Sequence, residues 1–116
     1  SNIIRIAMTK SIRFCVIYTF KIRSGMEESF IEGWSRLTEA IRETRGGMGS
    51  RLHKSDNGWW VAYAQWPDRQ TWESSQNVYE SPDIEASNLM TEAIEDRVPP
   101  ILLEPIIDLL DTRDNE

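Results

Sequence analysis

A chain of 116 residues with 40% apolar side chains and five tryptophans has the material for one ordinary core and not for two. A net charge of −6, with no run of five or more Lys or Arg, argues against a phosphate backbone as partner. No segment reaches the roughly 18 to 20 apolar residues of a membrane span, and the lone Cys15 rules out an intrachain disulfide or a cysteine metal cluster and suits a reducing, cytoplasmic compartment.

The chain opens on Ser1-Asn2 with a Met at position 8, which sets residues 1–11 aside as a flexible lead or a non-native segment. Residues 12–110 carry the domain pattern, and 111–116 read as a frayed tail. Ile12 to Arg23 alternate, with Phe14, Val16, Tyr18, Phe20 and Ile22 on one side and Cys15, Ile17, Thr19 and Lys21 on the other, so this is a strand apolar on much of both faces. Ser24-Gly25-Met26-Glu27 reads as a capping box that opens a helix. The apolar stripe Met26, Phe30, Trp34, Leu37, Ile41 makes that helix amphipathic, Arg42 and Arg45 complement its C-terminal dipole, and Gly46-Gly47 stops it.

Ser50–Ser55 and Trp59–Trp66 flank Asp56-Asn57-Gly58, and Asn-Gly between two strand patterns predicts a hairpin with a two-residue type I′ turn. That turn sets Arg51 opposite Ala64, Leu52 opposite Tyr63 and His53 opposite Ala62, and places Arg51, His53, Trp60, Ala62, Ala64 and Trp66 on one sheet face. Pro67-Asp68 opens a short helix carrying Trp72 and Gln76. Ser81-Pro82 opens another that runs to about Arg97 and is ended by Val98-Pro99-Pro100. Ile101–Leu110 is a last apolar run, and Pro105 makes it an edge or bulged strand.

The order β-α-β-β-α-α-β predicts an α+β, ferredoxin-like domain: an antiparallel four-stranded sheet with helices on one face. The opposite face then needs cover, and a second copy of the chain is the simplest one. A homodimer is therefore expected.

Phe14 to Phe20, Gly25-Met26-Glu27-Glu28-Ser29-Phe30 with Trp34, Gly49-Ser50-Arg51-Leu52-His53, Asp56-Asn57-Gly58, and Ala62-Tyr63-Ala64-Gln65-Trp66-Pro67 with Trp72 together resemble the antibiotic-biosynthesis monooxygenase family. The likeness spans about residues 12–110. It implies two sheets packed face to face as a dimeric α+β barrel, and a pocket in each subunit between sheet and helices. It also implies oxidation of a small aromatic or polyketide-like phenol by dioxygen, without flavin, metal or other cofactor. A non-catalytic, stress-related binder of small ligands is the alternative on the same fold. The haem-degrading branch uses an Asn on the first strand, a Trp on the short helix and a His on the next helix. Trp72 matches the Trp, but Tyr18 stands at the Asn position and Ser87 or Asn88 at the His position, so haem is disfavoured.

His53 is the only histidine, so a histidine metal site is not expected. It reads either as a general base with Arg51 as anion stabiliser, or as a surface residue at a strand edge or dimer seam. Tyr18 is the third catalytic candidate, and Trp34, Trp60, Tyr63, Trp66 and Trp72 are the candidate pocket walls. Trp34, on the helix stripe, reads first as core, Trp66 and Trp72 read as pocket or core alike, and either phenol can bond a substrate oxygen or a backbone carbonyl.

Overall fold

The computed structural model describes residues 13–111. The expected lead (1–11), Ile12 and all of the expected tail except Asp111 lie outside the described residues. Within them the element order is β1 (Phe14–Ile22), α1 (Glu27–Arg45), β2 (Ser50–Lys54), β3 (Trp60–Trp66), α2 (Arg69–Gln76), α3 (Ile84–Ala93) and β4 (Ile94–Leu103). The strands form one antiparallel sheet in the order β2-β3-β1-β4, the ferredoxin-like arrangement expected. No described helix is long and apolar enough to cross a membrane.

The even-numbered residues of β1 and β3 face the helices. Phe20, Ala62 and Ile94 meet Phe30 of α1 and Ala93 of α3 in one core; Phe14, Val16, Ala64 and Trp66 form a second, closed by Ile41 and Trp72. Tyr18 packs against both. Gly33 sets how closely α1 and α3 approach, because a Cβ there would lie 2.6 Å from the Ala86 carbonyl oxygen and 3.0 Å from side-chain carbons of Leu89 and Met90.

Four details differ from the sequence reading. The helix after β1 is not opened by a reciprocal capping box: Met26 is the N-cap and no side chain caps it. A turn closed by the Met26 N–H on the Arg23 carbonyl (3.0 Å) precedes it, with Gly25 at φ +86°, and the Glu27 carboxylate takes the Gly25 N–H at 2.9 Å. α3 starts after Asp83, not at Pro82, because the Asp83 carboxylate accepts the Ala86 N–H at 3.0 Å.

The β2–β3 turn is not type I′, which needs positive φ at both central residues. Only Gly58 has it (+89°), and no described residue other than glycine does. The Gly58 N–H bonds the Ser55 carbonyl at 2.9 Å and the Ser55 N–H bonds the Trp59 carbonyl at 2.8 Å, giving a three-residue loop that ends on a left-handed glycine. The register therefore moves by one: Arg51 pairs with Tyr63, Leu52 with Ala62 and His53 with Val61. A slip of one residue turns every side chain of the strand to the other face, so Arg51 and His53 do not share a face with Trp60, Ala62, Ala64 and Trp66.

Finally, Val98-Pro99-Pro100 does not end a helix but lies inside β4. The prolines fall where the β1–β4 register shifts, between the Ile17–Ile101 and Thr19–Val98 pairs, on an edge strand. The ladder there has no donor to lose, so the rule applied to Pro105 holds at Pro99-Pro100 instead.

Gly33→Ala tests the helix approach. In a free helix Ala is favoured by about 1 kcal/mol; here the clash with the Ala86 backbone forces α1 and α3 apart, and a net loss of about 1–3 kcal/mol is expected in urea unfolding. Unchanged or increased stability would remove Gly33 as the spacer.

Candidate functional site

A cavity of about 360 Å³ lies between the helix-facing side of the sheet, α1, α3 and the segment 77–83. That volume falls in the range of small-molecule pockets. Its apolar walls include Phe20, Trp34, Leu37, Trp66 and Met90, and its polar rim includes Ser50, Ser75, Gln76, Ser81 and Ser87. Small residues make the room. Ala64 leaves space on the sheet floor, and Gly47 lets the Trp66 ring approach, since a Cβ there would already stand 3.4 Å from it.

Tyr18 projects from the central strand into this space. Its hydroxyl oxygen accepts the indole N–H of Trp72 at 2.9 Å. The donor is fixed by α2, whose start is set by Asp68: that carboxylate accepts the Thr71 N–H at 2.7 Å, while Trp72 packs on Phe14 with ring centroids 5.9 Å apart. An indole only donates, so the phenol must accept from Trp72 and keeps its own proton for another partner. Burial pushes the Tyr18 pKa up, and the Trp72 hydrogen bond pulls it the other way more weakly. The side chain is thus a neutral donor.

The rim is ordered by short local bonds. Ser81 and Ser87 share a hydrogen bond, Ser75 Oγ donates to the Trp72 carbonyl at 2.6 Å, and Gln76 Nε2 donates to Ser75 Oγ at 3.0 Å. Arg45, in the last turn of α1, holds the segment 77–83 through the Glu80 carbonyl at 2.7 Å. Trp66 Nε1 is buried without a hydrogen-bond partner among the described residues, and a donor in that state invites an oxygen.

Of the residues singled out in the sequence, Tyr18, Trp34 and Trp66 line the cavity. Trp72 stands behind Tyr18. Trp60 is half-buried against the core, edge-on to Phe30 with centroids 5.7 Å apart. Arg51, His53 and Tyr63 lie on the opposite sheet face, where Arg51 Nε donates to His53 Nε2 at 2.9 Å, His53 Nδ1 meets the Val61 carbonyl at 3.1 Å, and the Arg51 guanidinium carbon is 6.0 Å from the Tyr63 ring centre. Tyr63 Oη also contacts Cys15 Sγ at 3.0 Å.

Sequence reasoning missed Phe20, Met90, Arg45, Arg97 and the serines as lining residues. Phe20 was legible from its alternation with Tyr18. Arg97 was not, because β4 read as helix there. For haem, the residues present do not fit: His53 is on the far side of the sheet and Ser87 is engaged with Ser81, so no imidazole reaches the cavity. Among the described residues no cluster of three or more His, Cys, Asp or Glu could hold a metal ion.

The chain belongs to the antibiotic biosynthesis monooxygenase family, which it matches over residues 13–83. Among solved structures it is similar to SnoaB from Streptomyces nogalater, a cofactor-independent oxygenase, with TM-score 0.68 and 11% identity over 87% of this chain and 100% of that one. It is also similar to Rv0793 from Mycobacterium tuberculosis (TM-score 0.65, 15% identity, 84% and 99% covered) and to PA3566 from Pseudomonas aeruginosa (0.60, 20%, 82% and 95%). At these identities the likeness establishes the fold. None of the curated proteins matches.

Titration checks the state of Tyr18. Tyr18→Phe should remove a phenolate absorbance step lying above pH 10, the ordinary value for tyrosine. Loss of a step at or below pH 10 would contradict a buried neutral phenol.

Proposed function

We propose that the protein is a cofactor-independent monooxygenase of small aromatic, polyketide-like phenols, with Tyr18 as the donor that stabilises the substrate anion. The observation that carries this is the neutral Tyr18 hydroxyl, its acceptor side occupied by Trp72, presented inside an aromatic-walled cavity. Family membership and the similarity to SnoaB support the reaction class.

The chemistry balances without a cofactor. An anthrone-like CH₂ loses a proton to solvent water, giving a carbanion whose charge is delocalised onto the ring oxygen. Hydrogen bonding of that oxygen to Tyr18 favours the anion, and a preorganised donor in a site screened from water is worth more than the same donor in solution. The carbanion reduces dioxygen, a C–O bond forms, and the peroxide takes up the proton. Loss of the second C–H then cleaves the O–O bond, leaving C=O and one water. Dioxygen is both oxidant and oxygen source. Glu80 carries the only carboxylate among the lining residues and none of them is His, so the site works by stabilising the anion and not through a buried base.

Oxygen uptake with a panel of anthrones and quinols tests the reading. Consumption is expected, and Tyr18→Phe should lower kcat about 100- to 1,000-fold, the usual cost of one such donor. Tight binding of aromatic probes with no uptake across the panel would instead make this a non-catalytic binding protein.

We further propose a homodimer formed through the outer sheet face. That face carries Ile17 and Thr19 of β1 and, opposite them, the exposed Ile101 (52%) and Val98 (41%) of β4, an apolar strip that a second sheet would cover. Light scattering at micromolar concentration should give twice the chain mass of 13.5 kDa. A monomer mass would remove the barrel.

A further inference from the structure

Arginines in this acidic chain are almost all engaged. Arg36 binds Asp83, Glu85 and Glu32, Arg42 binds Glu39, and Arg69 binds Glu73 and Glu104. Arg13 donates to Gln65, Arg23 to the Glu92 carbonyl, Arg45 to the Glu80 carbonyl and Arg51 to His53. Arg97 is the exception among the described arginines: its guanidinium makes neither a hydrogen bond nor an ion pair, and lies 5.7 Å from the centre of the Phe20 ring.

Arg97 also lines the cavity. Its direction follows from the ladder. Arg97 is the direct partner of Phe20 across the β1–β4 pair, partners in an antiparallel pair project to the same face, and Phe20 faces the helices. The neighbouring acids do not neutralise it: Asp96, paired with Lys21 on the outer face, accepts only the Arg97 backbone N–H at 2.8 Å, and Glu95 binds Lys21 at 3.0 Å. A free fork of donors held against an aromatic face, at the edge of a ligand cavity, fits a planar anion accepted by two N–H groups at once.

Resting on the reading of this cavity as the substrate pocket, we infer that the ligand is an aromatic acid whose carboxylate is anchored by Arg97. The rings then run from Phe20 towards Tyr18. Those two side chains are stacked 6.4 Å apart at 13°, so the acid group sits about one strand repeat, roughly 7 Å, from the oxygen that Tyr18 would bind. At the opposite end of the cavity the Arg45 guanidinium already donates to the Glu80 carbonyl, and Trp66 pairs there with Phe14, six residues or roughly 20 Å along β1 from Phe20. Net repulsion by a chain of charge −6 makes a local cation the condition for admitting such a ligand at all.

The test compares 2-naphthoate with the neutral, isosteric 2-naphthamide by quenching of tryptophan fluorescence. The wild type should prefer the carboxylate by about 10- to 100-fold, as a hydrogen bond between charged groups allows. Arg97→Gln should abolish the preference while leaving amide binding unchanged, which also certifies the fold of the variant. Arg97→Lys should keep part of the preference, and Arg42→Gln, outside the cavity, all of it. Equal binding of the two ligands by the wild type, or loss of the preference in Arg45→Gln and not in Arg97→Gln, would overturn the role of Arg97 while leaving the pocket intact. Binding of neither ligand would overturn the pocket itself.

Discussion

The backbone contact at Gly33 is the constraint on which the molecule's layout rests. With no side chain there, α1 and α3 meet close to the Ala86 carbonyl, and the pair covers the sheet over Phe20, Ala62 and Ile94. The shorter α2 covers the other end, through Trp72 on Phe14. Helix-covered cores thus form at both ends of one sheet face, and neither closes the middle. Tyr18, which touches both cores, stands where the gap opens. The cavity follows from how helices of unequal length tile a sheet, before any functional residue is considered.

The polarity of that gap is set by which groups are already engaged. An indole N–H can only donate, so placing Trp72 behind Tyr18 makes the phenol an acceptor on that side and leaves its own proton for the cavity. Burial raises the cost of the phenolate, and the hydroxyl stays a donor. The same bookkeeping applied to the cations separates Arg36, Arg42 and Arg69, engaged in exposed pairs worth little each, from Arg97, whose donors are left for something that is not protein. Electrostatic work in the pocket therefore comes from donors and a cation. That suits a substrate that arrives as, or becomes, an anion.

Local chemistry was legible in the sequence. The alternation of β1, the stripe of α1 from Met26 to Ile41, the Asp68 cap before Trp72 and the Asn-Gly hairpin all appear where they were read, because each depends on neighbours a few residues away. Tyr18, Trp34 and Trp66, singled out in the sequence, line one cavity. What was not legible depends on a single dihedral or on a distant partner. Asn57 tolerates positive φ but does not adopt it here, and that one angle moves Arg51 and His53 across the sheet. Pro99-Pro100 reads as a helix stop, yet the edge strand β4 accommodates both prolines at a bulge, and only its pairing with β1 reveals Arg97 as a strand residue facing inward.

The same slip decides what His53 can do. The Val61 carbonyl can only accept, so Nδ1 carries the proton of the neutral ring, and Nε2 must then accept from Arg51 Nε. Both nitrogens are occupied within the outer face. A histidine arranged in this way orients an arginine and closes a sheet edge, which suits a seam between two copies of the chain. The polar groups on the helix side include the Tyr18 hydroxyl, the serines of the rim and the lining arginines. In the proposed reaction, rate then comes from the differential binding of an anion, and selection of the substrate from the cation proposed at its edge.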